Sequence, residues 1–186
     1  MKNKLNEIVF VTGNKGKAEN TARLLGMNIT NQKVDLPEIQ SLDLSEIAEQ
    51  KLKAAYDIIK KPCMIEDMSL EFYEFKRLPG TLIKFFLTEL GLEKLCHLLD
   101  GKDRTAIAKC IIGFTDGKET KFFIGEKRGK IAAEPRGQNG YGWDKIFIPD
   151  GSPDKTNAEL DEKEYDRLFY TVTRKFDLFK QYCENL

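Results

Sequence analysis

The sequence predicts an α/β domain: a mixed β-sheet with helices packed on it. Two observations carry that reading. Apolar strand runs alternate with helix-spaced patterns through the first hundred residues, and a strand–turn–strand pattern follows over 105–126. No internal repeat, low-complexity tract or Pro/Gly/Ser-rich linker interrupts the chain, so residues 1–186 are expected to form one domain.

Ile8-Val9-Phe10-Val11 reads as the opening strand, emptying into Thr12-Gly13-Asn14-Lys15-Gly16-Lys17. Residues 16–26 then place Ala18, Ala22, Leu24 and Leu25 at near-helical spacing, with Gly26 as the stop. A second strand over 28–35 ends at Leu36-Pro37-Glu38. Ser45 is expected to cap a helix over 46–60 whose Ile47, Ala48, Leu52, Ala55 and Ile59 share one face. Pro62 breaks it, and Cys63-Met64-Ile65 runs as a short buried strand into Glu66-Asp67. Helices are expected over 81–90 and 92–99, and strands over 105–115 and 119–126 joined by Thr115-Asp116-Gly117-Lys118. A strand over 129–133, a polar glycine-rich loop over 134–144 and the strand Lys145-Ile146-Phe147-Ile148 come next. After a turn at 149–154, helices fill 158–184.

Composition narrows the function classes. Hydrophobic residues at 41% and charged residues at 32% describe a soluble globular chain. No apolar run approaches the roughly 20 residues that span a bilayer, and the one near the N-terminus is too short for a secretory signal. A cytoplasmic protein without a membrane partner is expected. Thirty basic residues against thirty acidic ones argue against a nucleic-acid polymer as partner, while leaving room for a local cationic pocket. Cys63, Cys96, Cys110 and Cys183 form no CxxC pair, which fits reduced structural thiols. His97, the sole histidine, is expected to be partly buried on its helix, so acid–base work falls to carboxylates, lysines or metal-bound water.

Six places along the chain could carry chemistry. Strand, glycine-bearing turn and helix is how α/β proteins bind phosphate, because helix-start N–H groups point outward unpaired. Here Lys15 and Lys17 add charge and Thr12 and Asn14 add hydrogen bonds, although a plain turn with solvated lysines fits the segment equally. Glu66-Asp67 stands at an apolar strand end, where one side chain can face a cleft while its neighbour braces it; a pair of surface acids is the other reading. Glu38 is a further oxygen donor, and oxygen donors suit Mg²⁺. Lys51 lies on the 46–60 helix and Lys84 in the first turn of the next, positions that also fit a solvated face or a snorkelling side chain. Gly137-Gln138-Asn139-Gly140-Tyr141-Gly142-Trp143-Asp144 joins backbone freedom to π faces and acceptors, as a nucleobase pocket requires; a core-lining loop with a buried Trp143 is the alternative.

Together these segments resemble a known family. Thr12-Gly13-Asn14-x-x-Lys17, Leu36-Pro37-Glu38, Ile65-Glu66-Asp67, Leu78-Pro79-Gly80-x-x-Ile83-Lys84 and Tyr141-Gly142-Trp143-Asp144-x-x-Phe147-x-Pro149-Asp150-Gly151 occur in that order. They closely resemble the inosine triphosphate pyrophosphatase (Ham1-like) family, over nearly the whole chain to Leu160. The resemblance implies an elongated central mixed sheet flanked by helices, two lobes with a nucleotide cleft between them, and a homodimer. It implies Mg²⁺-dependent conversion of non-standard purine nucleoside triphosphates (ITP, dITP, XTP) to monophosphate and pyrophosphate, with Mn²⁺ as a substitute metal. By that resemblance Thr12, Asn14 and Lys17 hold the triphosphate, with Gly13 and Lys15 of the same turn as further candidate contacts, Glu38 and Asp67 bind metal, and Asp67 or Glu66 orients the attacking water. Lys51 and Lys84 match nucleotide-contacting lysines, and Tyr141, Gly142, Trp143 and Asp144 match the base pocket.

The chain departs from the family pattern at three places. Tyr141 stands where the family has Phe, and Met68-Ser69 replaces the usual turn after Glu66-Asp67. The family's C-terminal Ser-His-Arg is absent; Arg174 is the nearest match to its arginine, with Thr173 in place of histidine and an insertion before it. Lys163 matches a nearby nucleotide-contacting lysine. The last departure touches base selectivity, and so two other readings stand beside hydrolysis of ITP: a pyrophosphatase for another modified nucleotide, and a non-catalytic nucleotide-binding module.

Overall fold

A computed structural model describes residues 8–26 and 29–184, and of Thr171, Thr173 and Arg174 the backbone alone. Among the described residues seven strands form one mixed sheet in the order β2-β1-β3-β5-β6-β7, with β4 (Pro79–Gly80) beside β3. β1 (Val9–Val11) runs parallel to both β2 (Thr30–Gln32) and β3 (Cys63–Phe72), whereas β4 is antiparallel to β3 and β7 (Phe147–Pro149) to β6 (Thr120–Ile131). The chain resolves into two compact units. Of the described residues, the first holds 8–26, 29–67, 110–125 and 173–184; the second holds 68–109 and 126–172.

In the first unit, strand alternation sorts the core into two faces. Val9, Val11, Cys63, Ile65 and Ile111 pack with Leu44, Ala48, Leu52 and Ala55 of α2 (Leu44–Ile59). Ile8, Phe10, Met64, Ile112 and Phe114 pack instead with Leu25 of α1 (Lys15–Leu25) and Phe176, Phe179 and Cys183 of α5 (Tyr170–Glu184). Gly26 ends α1 at φ 64°, a left-handed conformation that glycine adopts without strain. The N-cap of α2 is Asp43 and not Ser45, its carboxylate accepting from Ser45 N and Glu46 N at 2.8 and 3.4 Å. The helix therefore starts two residues earlier than expected, because Leu44 already belongs to its buried face.

The second unit contains α3 (Ile83–His97), residues 68–72 of β3, 105–109 of β5 (Thr105–Thr115) and 126–131 of β6, and α4 (Glu162–Leu168). Gly91 is non-helical inside α3, so the two expected helices meet there at a kink. Trp143, Phe147 and Phe169 form its aromatic centre, with ring centroids 5.5 to 6.4 Å apart.

Three expectations need correcting. β3 continues through Met68 and Ser69 to Phe72, so the Glu66-Asp67 step sits inside a strand and no turn follows it. β6 is one strand across the two segments expected over 119–126 and 129–133, because the polar Glu126–Arg128 stretch stays in the ladder. His97 is exposed, its Nδ1 2.9 Å from Asp100 Oδ2, because it lies off the face that buries Leu95 and Cys96. The four cysteines are free and buried. Among the described residues no helix is long and apolar enough to cross a membrane.

Candidate active site

The β1–α1 turn is ordered by its own side chains. Thr12 Oγ1 accepts from Asn14 N at 3.1 Å, and Asn14 Oδ1 caps α1 by accepting from Lys17 N at 3.1 Å. No acidic residue stands in the first turn of α1, so the positive end of the helix dipole is not offset there. Lys15 points along the exposed helix face, 3.6 Å from Glu19. Lys17 points inward, and its Nζ donates to the main-chain carbonyl of Glu66 at 3.2 Å.

That carbonyl belongs to the acidic step on β3. Alternation sends Glu66 and Asp67 to opposite faces. Glu66 joins the face of α1 and α5 and is buried: Lys175 Nζ lies 3.2 Å from Oε1, and Cys110 Sγ donates to the same oxygen at 2.9 Å. Glu66 Oε2 is buried without a hydrogen-bond partner. Burial pulls the Lys175 ammonium down, but the neighbouring charges outweigh it and its pKa is raised. Burial pushes the Cys110 thiol far above its ordinary range.

Asp67 joins the face of α2. Lys51 Nζ sits 2.9 Å from Asp67 Oδ2 and 3.4 Å from Glu38 Oε1, one ammonium bridging two carboxylates. Burial lowers the Lys51 pKa, but Asp67 and Glu38 overcome it and the net shift is upward. The donor set fits a divalent cation: two partly exposed carboxylates already gather one positive charge, and both are oxygen donors. Among the described residues no group of three or more His, Cys, Asp or Glu side chains gathers for a metal, so waters or substrate oxygens would have to complete its shell.

The glycine loop lies in the second unit. Asp144 is buried there; its Oδ2 accepts from Tyr141 N at 2.8 Å and its Oδ1 from Asn157 Nδ2 at 3.1 Å. Desolvation raises its pKa against the pull of those two bonds. Gly140 has φ 72°, and a Cβ there would stand 2.4 Å from Asp144 Oδ2, so the loop needs glycine at this position. Trp143 is only 5% exposed and packs on Phe147 and Phe169, which makes it a core side chain. Tyr141 is half-buried and Gly142 exposed. Lys84, in the first turn of α3, and Lys163, on α4, are exposed in this unit as well. Thr173 and Arg174 lie on α5, with side chains outside the described residues.

Of the groups expected to do chemistry, the first unit thus gathers Lys17, Glu38, Lys51, Glu66 and Asp67. Sequence reasoning missed Lys175 and Cys110. The signal for Lys175 was its place among Val172, Phe176 and Phe179 at i, i+3, i+4 and i+7 spacing, a charge on the apolar face of a helix.

These features define a mixed-sheet α/β protein with carboxylates and ammonium groups gathered on β3 beside a capped helix start. The model of the Ham1 family matches residues 8–169, and the chain belongs to that family. It is 39% identical over 166 aligned residues to inosine triphosphate pyrophosphatase 2 of Trypanosoma cruzi, covering 87% of this chain and 85% of that one. Against inosine triphosphate pyrophosphatase of Saccharomyces cerevisiae it is 38% identical over 190 aligned positions, covering 95% of each. Among solved structures, the Ham1 protein of Staphylococcus aureus superposes with a TM-score of 0.77 at 26% identity, over 96% of this chain and 98% of the other. The mixed α/β fold expected from the sequence and the family resemblance both hold.

Proposed function

We propose that this protein is a Mg²⁺-dependent pyrophosphatase of non-standard purine nucleoside triphosphates, releasing monophosphate and pyrophosphate from ITP, dITP and XTP. The observation that carries the reading is the placement of Lys17 and Asp67 around one strand step, in a chain of the Ham1 family. A phosphoryl transfer of this kind needs charge neutralisation and in-line placement of water more than covalent help. The α1 N-terminus with Thr12, Gly13, Asn14 and Lys17 cradles the triphosphate, while Lys15 adds long-range attraction from the exposed face. Bound through Glu38 and Asp67, Mg²⁺ would supply Lewis-acid neutralisation of the phosphate oxygens. Lys51, released from the two carboxylates, and Lys84 balance the remaining charge.

Asp67 is the base of this scheme and Glu66 its brace, because Asp67 is the partly exposed carboxylate of the two. Water, oriented by an Asp67 oxygen, attacks the α-phosphorus; its proton passes to Asp67, and the bond to the bridging oxygen breaks to release pyrophosphate. Tyr141 offers the stacking face, Trp143 holds the loop from behind, and Asp144 fixes the backbone that meets the base. Thr173, Arg174 and Lys163 complete base recognition. A donor placed for a 6-oxo group is left unpaired by the amino group of adenine, which costs several orders of magnitude in rate. The missing Ser-His-Arg favours one further reading, the same hydrolysis on a different modified base. The balanced net charge supports a small-molecule substrate over a nucleic acid. A cytoplasmic homodimer completes the proposal.

Product analysis tests it. Wild-type protein incubated with ITP, XTP, dITP, ATP or GTP, with and without Mg²⁺, is resolved by ion-exchange chromatography. Monophosphate with pyrophosphate, formed fastest from the 6-oxo nucleotides that are not standard, is the expected result. Diphosphate with orthophosphate, or equal rates on all five, overturns it.

A further inference from the structure

The interior face of the acidic step carries a buried lysine, Lys175, to which the proposed reaction gives no role. Two lysines reach Glu66, but at different atoms: Lys175 Nζ is 3.2 Å from the carboxylate, while Lys17 Nζ is 3.2 Å from the main-chain carbonyl. Lys175 and Glu66 side chains are each only 2% exposed, and Cys110 on β5 adds a third bond to the same carboxylate oxygen. The charges of Lys175 and Lys17 both act on the Cys110 sulfur too, lowering its pKa against the larger push of burial. The Glu66 carboxylate is met by Lys175, while the Lys17 ammonium bonds a neutral carbonyl, which leaves a surplus positive charge at the start of α1. On the opposite face one ammonium, Lys51, bridges two carboxylates, Asp67 and Glu38, so those three side chains sum to one negative charge.

We propose that Lys175 is a positioning residue for triphosphate binding: by satisfying the buried Glu66 carboxylate, it leaves the Lys17 ammonium for the phosphates of the substrate. A buried charge that loses its partner draws the nearest cation or is neutralised, since leaving it unpaired is strongly unfavourable. Lys17 already lies against the Glu66 main chain, and rotation about its flexible stem brings its ammonium to the carboxylate. Glu66 Oε2, buried without a hydrogen-bond partner, gives it a place to bond. Lys175 therefore acts through Lys17 without touching the nucleotide. The inference rests on the triphosphate reading above.

Calorimetric titration with a non-hydrolysable α,β-methylene analogue of ITP, with inosine as the control ligand, tests this. In Lys175→Met the analogue should bind at least tenfold more weakly while inosine binding is unchanged, and Lys175→Arg should keep wild-type affinity. The double variant Lys175→Met/Glu66→Gln restores the surplus charge and should bind the analogue within threefold of wild type. It also removes the unpaired buried carboxylate, so it serves where the single variant fails to fold. Wild-type affinity in a folded Lys175→Met, or a tenfold loss in the double variant, overturns the inference. Failure of the wild type itself to bind the analogue instead removes the triphosphate reading on which it rests.

Discussion

Glu66 and Asp67 are neighbours on β3 yet answer to different cations: Glu66 pairs with Lys175 in the interior, Asp67 with Lys51 at a partly exposed position. The pleat alone separates them, since successive side chains leave a strand on opposite sides. The consequence is a division of labour, one carboxylate tying α5 and β5 to the strand and the other facing α2 and Glu38.

Lys17 should matter to binding before it matters to turnover. Replacing it by Met removes a cation held at the helix start, and KM for a triphosphate should rise by about tenfold or more, about 1.4 kcal/mol of binding. Steady-state kinetics on ITP checks this, and the KM of wild type would contradict it.

The Lys51 clamp predicts how the local stability responds to alkali. Its pKa is raised in the folded chain above the ordinary 10.5, so the stability it contributes is fully present below that value. It is lost as pH rises through the raised folded value. The difference in urea-unfolding free energy between wild type and Lys51→Met should stay constant from pH 7 to 9 and narrow above 10.5.

Tyr141 and Trp143 should separate function from stability. Trp143→Ala empties a packed aromatic site and should cost about 3–5 kcal/mol. Tyr141→Ala, at a half-buried position, should change thermal stability little while weakening nucleotide binding. Calorimetry and nucleotide titration on the two variants check the pair.

The thiols should be silent in the native state. Burial pushes Cys63 and Cys96 up to about 11 and Cys183 up to about 12. Native protein at pH 8 should release less than about one equivalent of thiol to Ellman's reagent, because the thiolate is the reactive form. All four cysteines should react once guanidinium unfolds the chain.

Most of the scaffold was legible because local patterns and tertiary packing agree in it. The β1–α1 turn, the apolar face of α2 and the break at Gly91 each follow from spacing and from Gly or cap chemistry. Boundaries failed where pairing overrides polarity. Lys127 and Arg128 fall between two expected strands but stay in β6, and Met68-Ser69 look like a turn but stay in β3. At the site, the sequence marked the residues but not their partners. That Lys51 bridges Glu38 and Asp67 depends on α2 packing over β3, a contact between segments 16 residues apart. The Glu66–Lys175 pair joins distant parts of the chain, and only the misplaced charge on an apolar helix face announced it.

Pyrophosphate release from ITP by wild type and by Asp67→Asn, both with Mg²⁺, tests the central claim most directly. Wild type should turn over ITP to the monophosphate, and the variant, folded to the same extent, should lose about 10²–10⁴-fold in kcat for want of a proton acceptor. Undiminished turnover by Asp67→Asn would contradict the assignment of the base, and no pyrophosphate from wild type would contradict the reaction itself.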